Sequence, residues 1–310
     1  MKSGISNLSS LQYLKNEDID KIKWDKCIDT ARNGLIYAYA LYLDTMAKNW
    51  DALVMNDYEA VMPLTWNKKF GIYYLYQPFL CASLGVFGNN ITSETLLCFL
   101  NKIPKHFKYW DIYLNRSNNY NIDRYNVYKR TNYILALNKP YSTLLNNFRA
   151  SYKQLIKKGE AKGLIVKQNI AVEKIIKLAK NKLDKVAKLK KYDLHNFHDL
   201  YQKLYAKNKA TSFGVFLKDD LLASGAFLFS HNRAYYILAG NKPKGRTLGA
   251  SQLVINGFIE RYAGMDLILD FEGSNVPQIA FFFKGFGALP EEYPGLKYNA
   301  LPSILRKLKK

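Results

Sequence analysis

The stretch LDFEGSNVPQIAFFFKGFGALPEEY, residues 269 to 293, gathers carboxylates, a serine, a lysine and a run of aromatics. Strand alternation through LILDFEGS sends Ile268, Asp270 and Glu272 to one face and Leu267, Leu269 and Phe271 to the other. Two carboxylates on one face at a strand's carboxy end are placed to take a proton from a bound nucleophile, and Glu272, at the rim, is the preferred base. The alternative is that Asp270 caps the following turn and Glu272 is solvated. VPQIAFFFKGFG has helical spacing, with Ile279, Phe282, Phe283 and Phe286 as its buried stripe. Lys284 sits beside that stripe near the helix end, where a cation also favours the negative end of the helix dipole or snorkels outward.

A second candidate lies in GNKPKGRTLGASQLV, residues 240 to 254. A strand enters a loop with Gly240, Gly245 and Gly249, and a helix begins near Ala250. Small residues let a ligand approach the backbone, and the first-turn N–H groups of a helix favour a phosphate. Lys242, Lys244 and Arg246 add positive charge. An ordinary basic glycine turn is the competing reading. The sequence lacks GxGxxG, GxxxxGK[ST], GxSxG and HExxH, which argues against dinucleotide-binding, P-loop, serine-hydrolase and zinc-protease chemistry. His195 and His198 are three apart with no third ligand close in sequence, so they read as surface histidines and no metal is expected.

These side chains need two domains or one large one to hold them, since the chain has 310 residues. Hydrophobic residues make up 48% and aromatics 15%, enough for a sizeable core. The net charge of +21 points to polyanionic partners, and residues 139 to 191 carry 15 Lys/Arg against 3 Asp/Glu. Only 9 of the 46 basic residues are Arg, so lysine drift is an alternative source of the charge. Cys27, Cys81 and Cys98 read as reduced thiols. The absence of a signal-like amino terminus or a long apolar run gives a cytoplasmic expectation with no membrane span.

The pattern of elements is α/β. WDALVMNDYEAVMPLTWN reads as a hairpin with an NDYE turn, followed by a Tyr-rich strand. About 160 residues later, TSFGVFLKDDLLASGAFLFSHN and RAYYILAG repeat that order with a KDD turn, which implies an ancient duplication. Pro140 marks the expected boundary between domains 1–140 and 141–310. One long helix is expected from Tyr141 to Gly163, and a second from Ala171 with lysines on its solvent side.

The order of strands with Arg246-Thr247-Leu248-Gly249-Ala250-Ser251 resembles the GNAT acyltransferase fold, whose pyrophosphate loop reads Arg/Gln-x-x-Gly-x-Gly/Ala. Leu269-Asp270-Phe271-Glu272-Gly273, Phe283-Lys284-Gly285-Phe286-Gly287 and the basic KQLIKKGEAKGLIV helix are similar to motifs of the FemABX-like branch, which carries two GNAT-like domains in tandem. The resemblance implies transfer of an acyl or aminoacyl group to an amine, from acetyl-CoA or another acyl-CoA, or from aminoacyl-tRNA to a peptidoglycan precursor. It implies that Arg246, Gly249, Ala250 and Ser251 hold the donor, that Glu272 or Asp270 takes the amine proton, and that Lys284 neutralises developing negative charge. Ser274, Tyr293, Lys157 and Lys158 are the expected substrate contacts. The first domain, with Pro78 and no Arg in YLYQPFLCASLGVFG, is expected to be catalytically silent and to help build the acceptor side. A non-catalytic module binding RNA or another partner is the rival from outside enzymology.

Overall fold

The computed structural model describes residues 10–122, 124–186, 192–273 and 275–306. Two compact units emerge: Met1–Lys129 with Tyr293–Lys310, and Arg130–Glu292. In the first, β1 (Leu11–Leu14), α1 (Lys21–Thr30) and α2 (Ala40–Met46) precede the hairpin β2 (Trp50–Met55) and β3 (Ala60–Lys69). β4 (Ile72–Tyr76), the two-residue β5 (Phe87–Gly88), α3 (Ser93–Lys102) and β6 (Phe107–Tyr113) follow. β7 (Asn126–Ala136) then leads the chain into the second unit.

There, α4 (Tyr141–Asn146), α5 (Ala150–Ala161), β8 (Leu164–Gln168), α6 (Val172–Val186) and α7 (Asp193–Tyr205) precede the hairpin β9 (Ala210–Leu217) and β10 (Asp220–Ser230). β11 (Arg233–Asn241), the one-turn α8 (Pro243–Thr247), α9 (Ala250–Tyr262), β12 (Ile268–Asp270) and α10 (Pro277–Lys284) complete it. β13 (Leu289–Asn299) returns to the first unit and the short α11 (Ser303–Arg306) ends the described chain.

The strand orders of the two units share one plan. The first runs β1-β2-β3-β4-β6-β13 and the second β8-β9-β10-β11-β12-β7. In each, the single parallel neighbours are the strands flanking a helix, β4 with β6 and β11 with β12. The final strand is exchanged: β7 follows β6 in the chain but pairs with β12, while β13 follows β12 but pairs with β6. This exchange moves the boundary from Pro140 to Lys129/Arg130 and returns the chain to the first unit at Tyr293. A boundary residue chosen for its turn chemistry carries no signal of strand exchange, which is set by long-range pairing.

The expected helix from Tyr141 to Gly163 is two helices. It breaks at Asn147–Arg149, where Arg149 turns extended (ψ 139) and its N–H donates to the Gly285 carbonyl at 2.9 Å. That bond draws α5 against the end of α10. A Cβ on Gly285 would lie 2.2 and 2.4 Å from ring atoms of the buried Tyr152. Gly285→Ala is therefore expected to cost about 1–3 kcal/mol through overpacking, seen as a lower urea midpoint at unchanged slope.

Around that contact, Phe148, Tyr152, Phe271, Phe283 and Phe286 form one aromatic cluster, with the Phe271 and Phe283 rings stacked at 4.6 Å. Phe283 and Phe286 are buried as the stripe requires, and Ile279 and Phe282 pack against the same core partly buried. The mixed α/β class follows from these layers: α4, α5 and α9 pack on the second sheet through residues such as Phe258, stacked on Phe227 at 4.0 Å.

Candidate active site

The carboxy end of β12 is where the sequence reading is most altered. β12 stops at Asp270, and Glu272 is out of the strand, at φ +68, with Gly273 following at φ +74. Asp270 is buried. Its Oδ1 accepts from the Glu272 N–H and from Asn132 Nδ2, both at 2.8 Å, and Oδ2 accepts from Arg233 Nη1 at 2.5 Å. Arg233 also forks onto Glu291, with Nη1 to Oε2 at 2.9 Å and Nη2 to Oε1 at 3.0 Å. Asn132 Oδ1 in turn accepts from the Gly273 N–H at 2.6 Å.

Asp270 is thus the cap of the turn that carries Glu272, and not a second rim carboxylate. Its three acceptor bonds bind the backbone of residues 272–273 to strands β7 and β11. Burial would lower the Arg233 pKa, but the Glu291 hydrogen bond and the Asp270 and Glu291 charges outweigh it and hold the guanidinium well above its usual value. Such a group stays charged at every physiological pH.

Glu272 is placed by this knot at a strained position. A left-handed conformation costs a side-chain-bearing residue roughly 1–2 kcal/mol, and such strain clusters at functional sites. Lys284, the exposed last residue of α10, holds its Nζ over the Tyr133 ring at 5.6 Å. Tyr133 accepts the Phe271 N–H through its carbonyl at 2.9 Å, so Lys284 belongs to the same end of β12 as Glu272.

The glycine turn forms a separate corner. Gly249 is the N-cap of α9 at φ +75, and no side chain caps the helix. A Cβ at Gly249 would approach Leu155 to 3.0 Å, so close packing on α5 fixes this glycine. Ala250 is buried beneath the corner and Ser251 is half-buried. Arg246 Nε donates to Asn241 Oδ1 at 2.8 Å, and Asn241 Nδ2 to Ser251 Oγ at 3.0 Å, so one asparagine orients both residues. Lys242 is paired with Asp220. The α8 turn between strand and helix was not legible from the glycine spacing.

The register separates the two groups. Tyr235 of β11 lies opposite Asp270, and Asn241 is six residues further along β11. At about 3.3 Å per residue the corner is roughly 20 Å beyond the end of β12. Arg246, Gly249, Ala250 and Ser251 are brought together; Asp270 and Glu272 share one turn at the end of β12, with Lys284 over the neighbouring Tyr133. The two sets are not.

Among the remaining expected contacts, Tyr293 is buried in β13 and Lys157 and Lys158 are exposed on α5. Ser274 lies outside the described residues. His198 contacts Glu173 at 2.8 Å and Asp199 at 3.1 Å, and the described residues contain no cluster suited to a metal. Cys27 and Cys81 are buried, and burial pushes the Cys27 thiol up to about 11. No described helix is long and apolar enough to cross a membrane.

The corresponding corner of the first unit is closed. Thr92 caps α3 with its own hydroxyl, which accepts from the Thr95 N–H at 3.2 Å. Asn33, Asn115 and Asn118 fasten the preceding loop by bonds to the backbone of Leu84, Val86 and Gly88.

No family model matches the sequence, and no curated protein matches it either. Solved structures do. FemX superposes with a TM-score of 0.64 at 13% identity, over 96% of this chain and 99% of its own. A conserved protein of unknown function from Bacteroides thetaiotaomicron gives 0.60 at 11%, over 90% and 98%. L-PGS from Bacillus licheniformis gives 0.52 at 12%, over 84% and 87%. The chain shares the fold of FemX. The likeness spans both units, whose strand orders share one plan. Arg233, Glu291 and Asn132 were not singled out by sequence. The one available signal in this lysine-rich chain was an arginine opening an apolar strand, where a fork is needed that lysine cannot supply.

Proposed function

We propose that the chain is an acyltransferase that moves an acyl or aminoacyl group from an elongated donor to an amine. The observation that carries the reading is Glu272, held at φ +68 by the buried Asp270–Arg233–Asn132 knot, beside the Lys284 cation on the same end of β12. A position that glycine would occupy at lower steric cost carries a carboxylate instead. Glu272 takes the proton that an amine must lose on acyl transfer. Lys284 stabilises the oxyanion of the tetrahedral intermediate. Arg246, Gly249, Ala250 and Ser251 hold the donor's phosphates at the uncapped start of α9.

The separation along β11 supports a donor with phosphates at one end and its reactive carbonyl at the other, joined by an extended arm. Acyl-CoA has this shape, and acetyl-CoA is its simplest form. The first unit, with α3 capped and its loop fastened, offers no second donor corner among the described residues. The acceptor is an amine on a small molecule or a cell-wall precursor.

Aminoacyl-tRNA is the alternative donor, favoured by the exposed Lys174, Lys177 and Lys180 along α6. A thermal-shift series decides between them, because a ligand that binds only the folded chain raises Tm by mass action. Coenzyme A and acetyl-CoA are expected to raise Tm in the wild type and to lose that effect in Arg246→Ala. No response to either, with a salt-sensitive response to aminoacylated tRNA, replaces the donor and keeps the chemistry. No response to any of them removes the proposal.

A further inference from the structure

The β3–β4 hairpin of the first unit turns on Phe70 and Gly71, at φ +49 and +78. Two consecutive left-handed residues make the tight hairpin turn that favours Asn-Gly or Gly-Gly. A bulky residue at the first position is an outlier. Five other left-handed positions among the described residues carry Asn, namely Asn56, Asn90, Asn169, Asn208 and Asn232. At the hairpin tip the chain instead places a phenylalanine that is 91% exposed. The ring is exposed, in a conformation that glycine or asparagine would adopt at lower cost.

Its surroundings are basic. Lys68 and Lys69 precede it, with Lys69 Nζ 5.3 Å from the Phe70 ring and Lys68 Nζ 4.6 Å from that of Tyr73. Parallel pairing sets Phe107 beside Tyr73, which brings the exposed Lys105, His106 and Lys108 to the same end of the sheet. None of the four lysines has a carboxylate partner among the described residues. A pocket of about 710 Å³ opens alongside, with Tyr73, His106, Lys15, Lys48 and the acids Glu17, Asp44 and Asp51 in its wall. Two of its three acids are engaged, Asp44 by Lys21 and Asp51 by the Tyr13 hydroxyl and the Asn16 N–H, and the two wall lysines outnumber Glu17. The surplus at the tip is therefore positive.

We propose that this hairpin tip docks the protein on an anionic lipid bilayer, with Phe70 inserted among the acyl chains and Lys68, Lys69, Lys105 and Lys108 at the headgroups. A single exposed ring on a two-residue tip is far smaller than the roughly 800 Å² a protein partner needs on each side. A bilayer accepts a narrow wedge, and aromatic rings with lysines are its usual interfacial anchors. The inference is independent of the transfer chemistry.

Vesicle sedimentation of the full chain tests it. Vesicles with about 30 mol% phosphatidylglycerol are expected to carry the protein down, pure phosphatidylcholine vesicles are not, and about 0.5 M salt releases it. Phe70→Asn suits the turn better, so its Tm should not fall, yet its partition coefficient should drop at least about tenfold. Lys68→Gln with Lys69→Gln should drop it about fivefold per lysine. Ile22→Asn is the control: Ile22 is 84% exposed, but its neighbours Lys21 and Lys23 are neutralised by Asp44 and Asp57. Failure of the wild type to sediment with the anionic vesicles overturns the proposal. So does an unchanged partition for Phe70→Asn, or an equal loss in Ile22→Asn.

Discussion

Arg233→Ala is expected to destabilise the protein by about 3–5 kcal/mol, the cost of leaving a buried ion pair without one partner. The reason is local and specific. Arg233, Asp270 and Glu291 are all buried or nearly so, with side-chain exposures of 7, 6 and 13%. Removing the guanidinium takes away the cation that bridges the two carboxylates. Solvent screening is too weak there to relieve them. Arg233→Lys should fall between wild type and alanine, because one ammonium keeps the charge but cannot reproduce a fork across two carboxylates. Urea unfolding of the three proteins reads the order directly. An alanine variant within about 1 kcal/mol of wild type would mean the knot is not what fixes the end of β12.

Glu272→Gln is expected to lower kcat by about 10²–10⁴-fold while leaving stability unchanged. The amide is nearly the same shape as the carboxylate and keeps the backbone N–H bond to Asp270, but it takes no proton. Glu272→Gly separates the two roles further. Glycine relieves the left-handed strain of roughly 1–2 kcal/mol, against which the extra freedom of the unfolded chain sets about 0.5–1 kcal/mol. Its stability should equal or slightly exceed that of the wild type, with the same loss of turnover. A Glu272→Gly variant with unaltered transfer would assign the conformation to chance and the proton to another group.

Local features were legible in the sequence where one residue type decides one geometry. The NDYE and KDD stretches do form the turns of β2–β3 and β9–β10, and the repeat of hairpin and Tyr-rich strand holds at the level of strand order. The aromatic stripe of α10 was readable from spacing alone. Three features were not, each because a distant partner sets it. The Tyr141–Gly163 stretch breaks where Arg149 bonds to Gly285. The sheets exchange β7 and β13 through pairings across more than 130 residues.

Asp270 alternates in sequence with Glu272, but β12 ends between them once Asp270 turns inward to Arg233. Period-two reasoning assumes that the strand continues, whereas here the chain turns left-handed at Glu272 under the Asp270 cap. The site was therefore half visible: its residue types were, and the cap role of Asp270 stood only as the alternative to a second rim carboxylate.

In the proposed function one donor spans from the α9 corner to Glu272. Transfer of a labelled acyl group to an amine, measured at varied acetyl-CoA with wild type, Arg246→Ala and Glu272→Gln, tests it most directly. The expected result is a split: Arg246→Ala raises the KM for acetyl-CoA with little change in kcat, and Glu272→Gln lowers kcat with little change in KM. Equal effects of both variants on both parameters, or none from either, would contradict it.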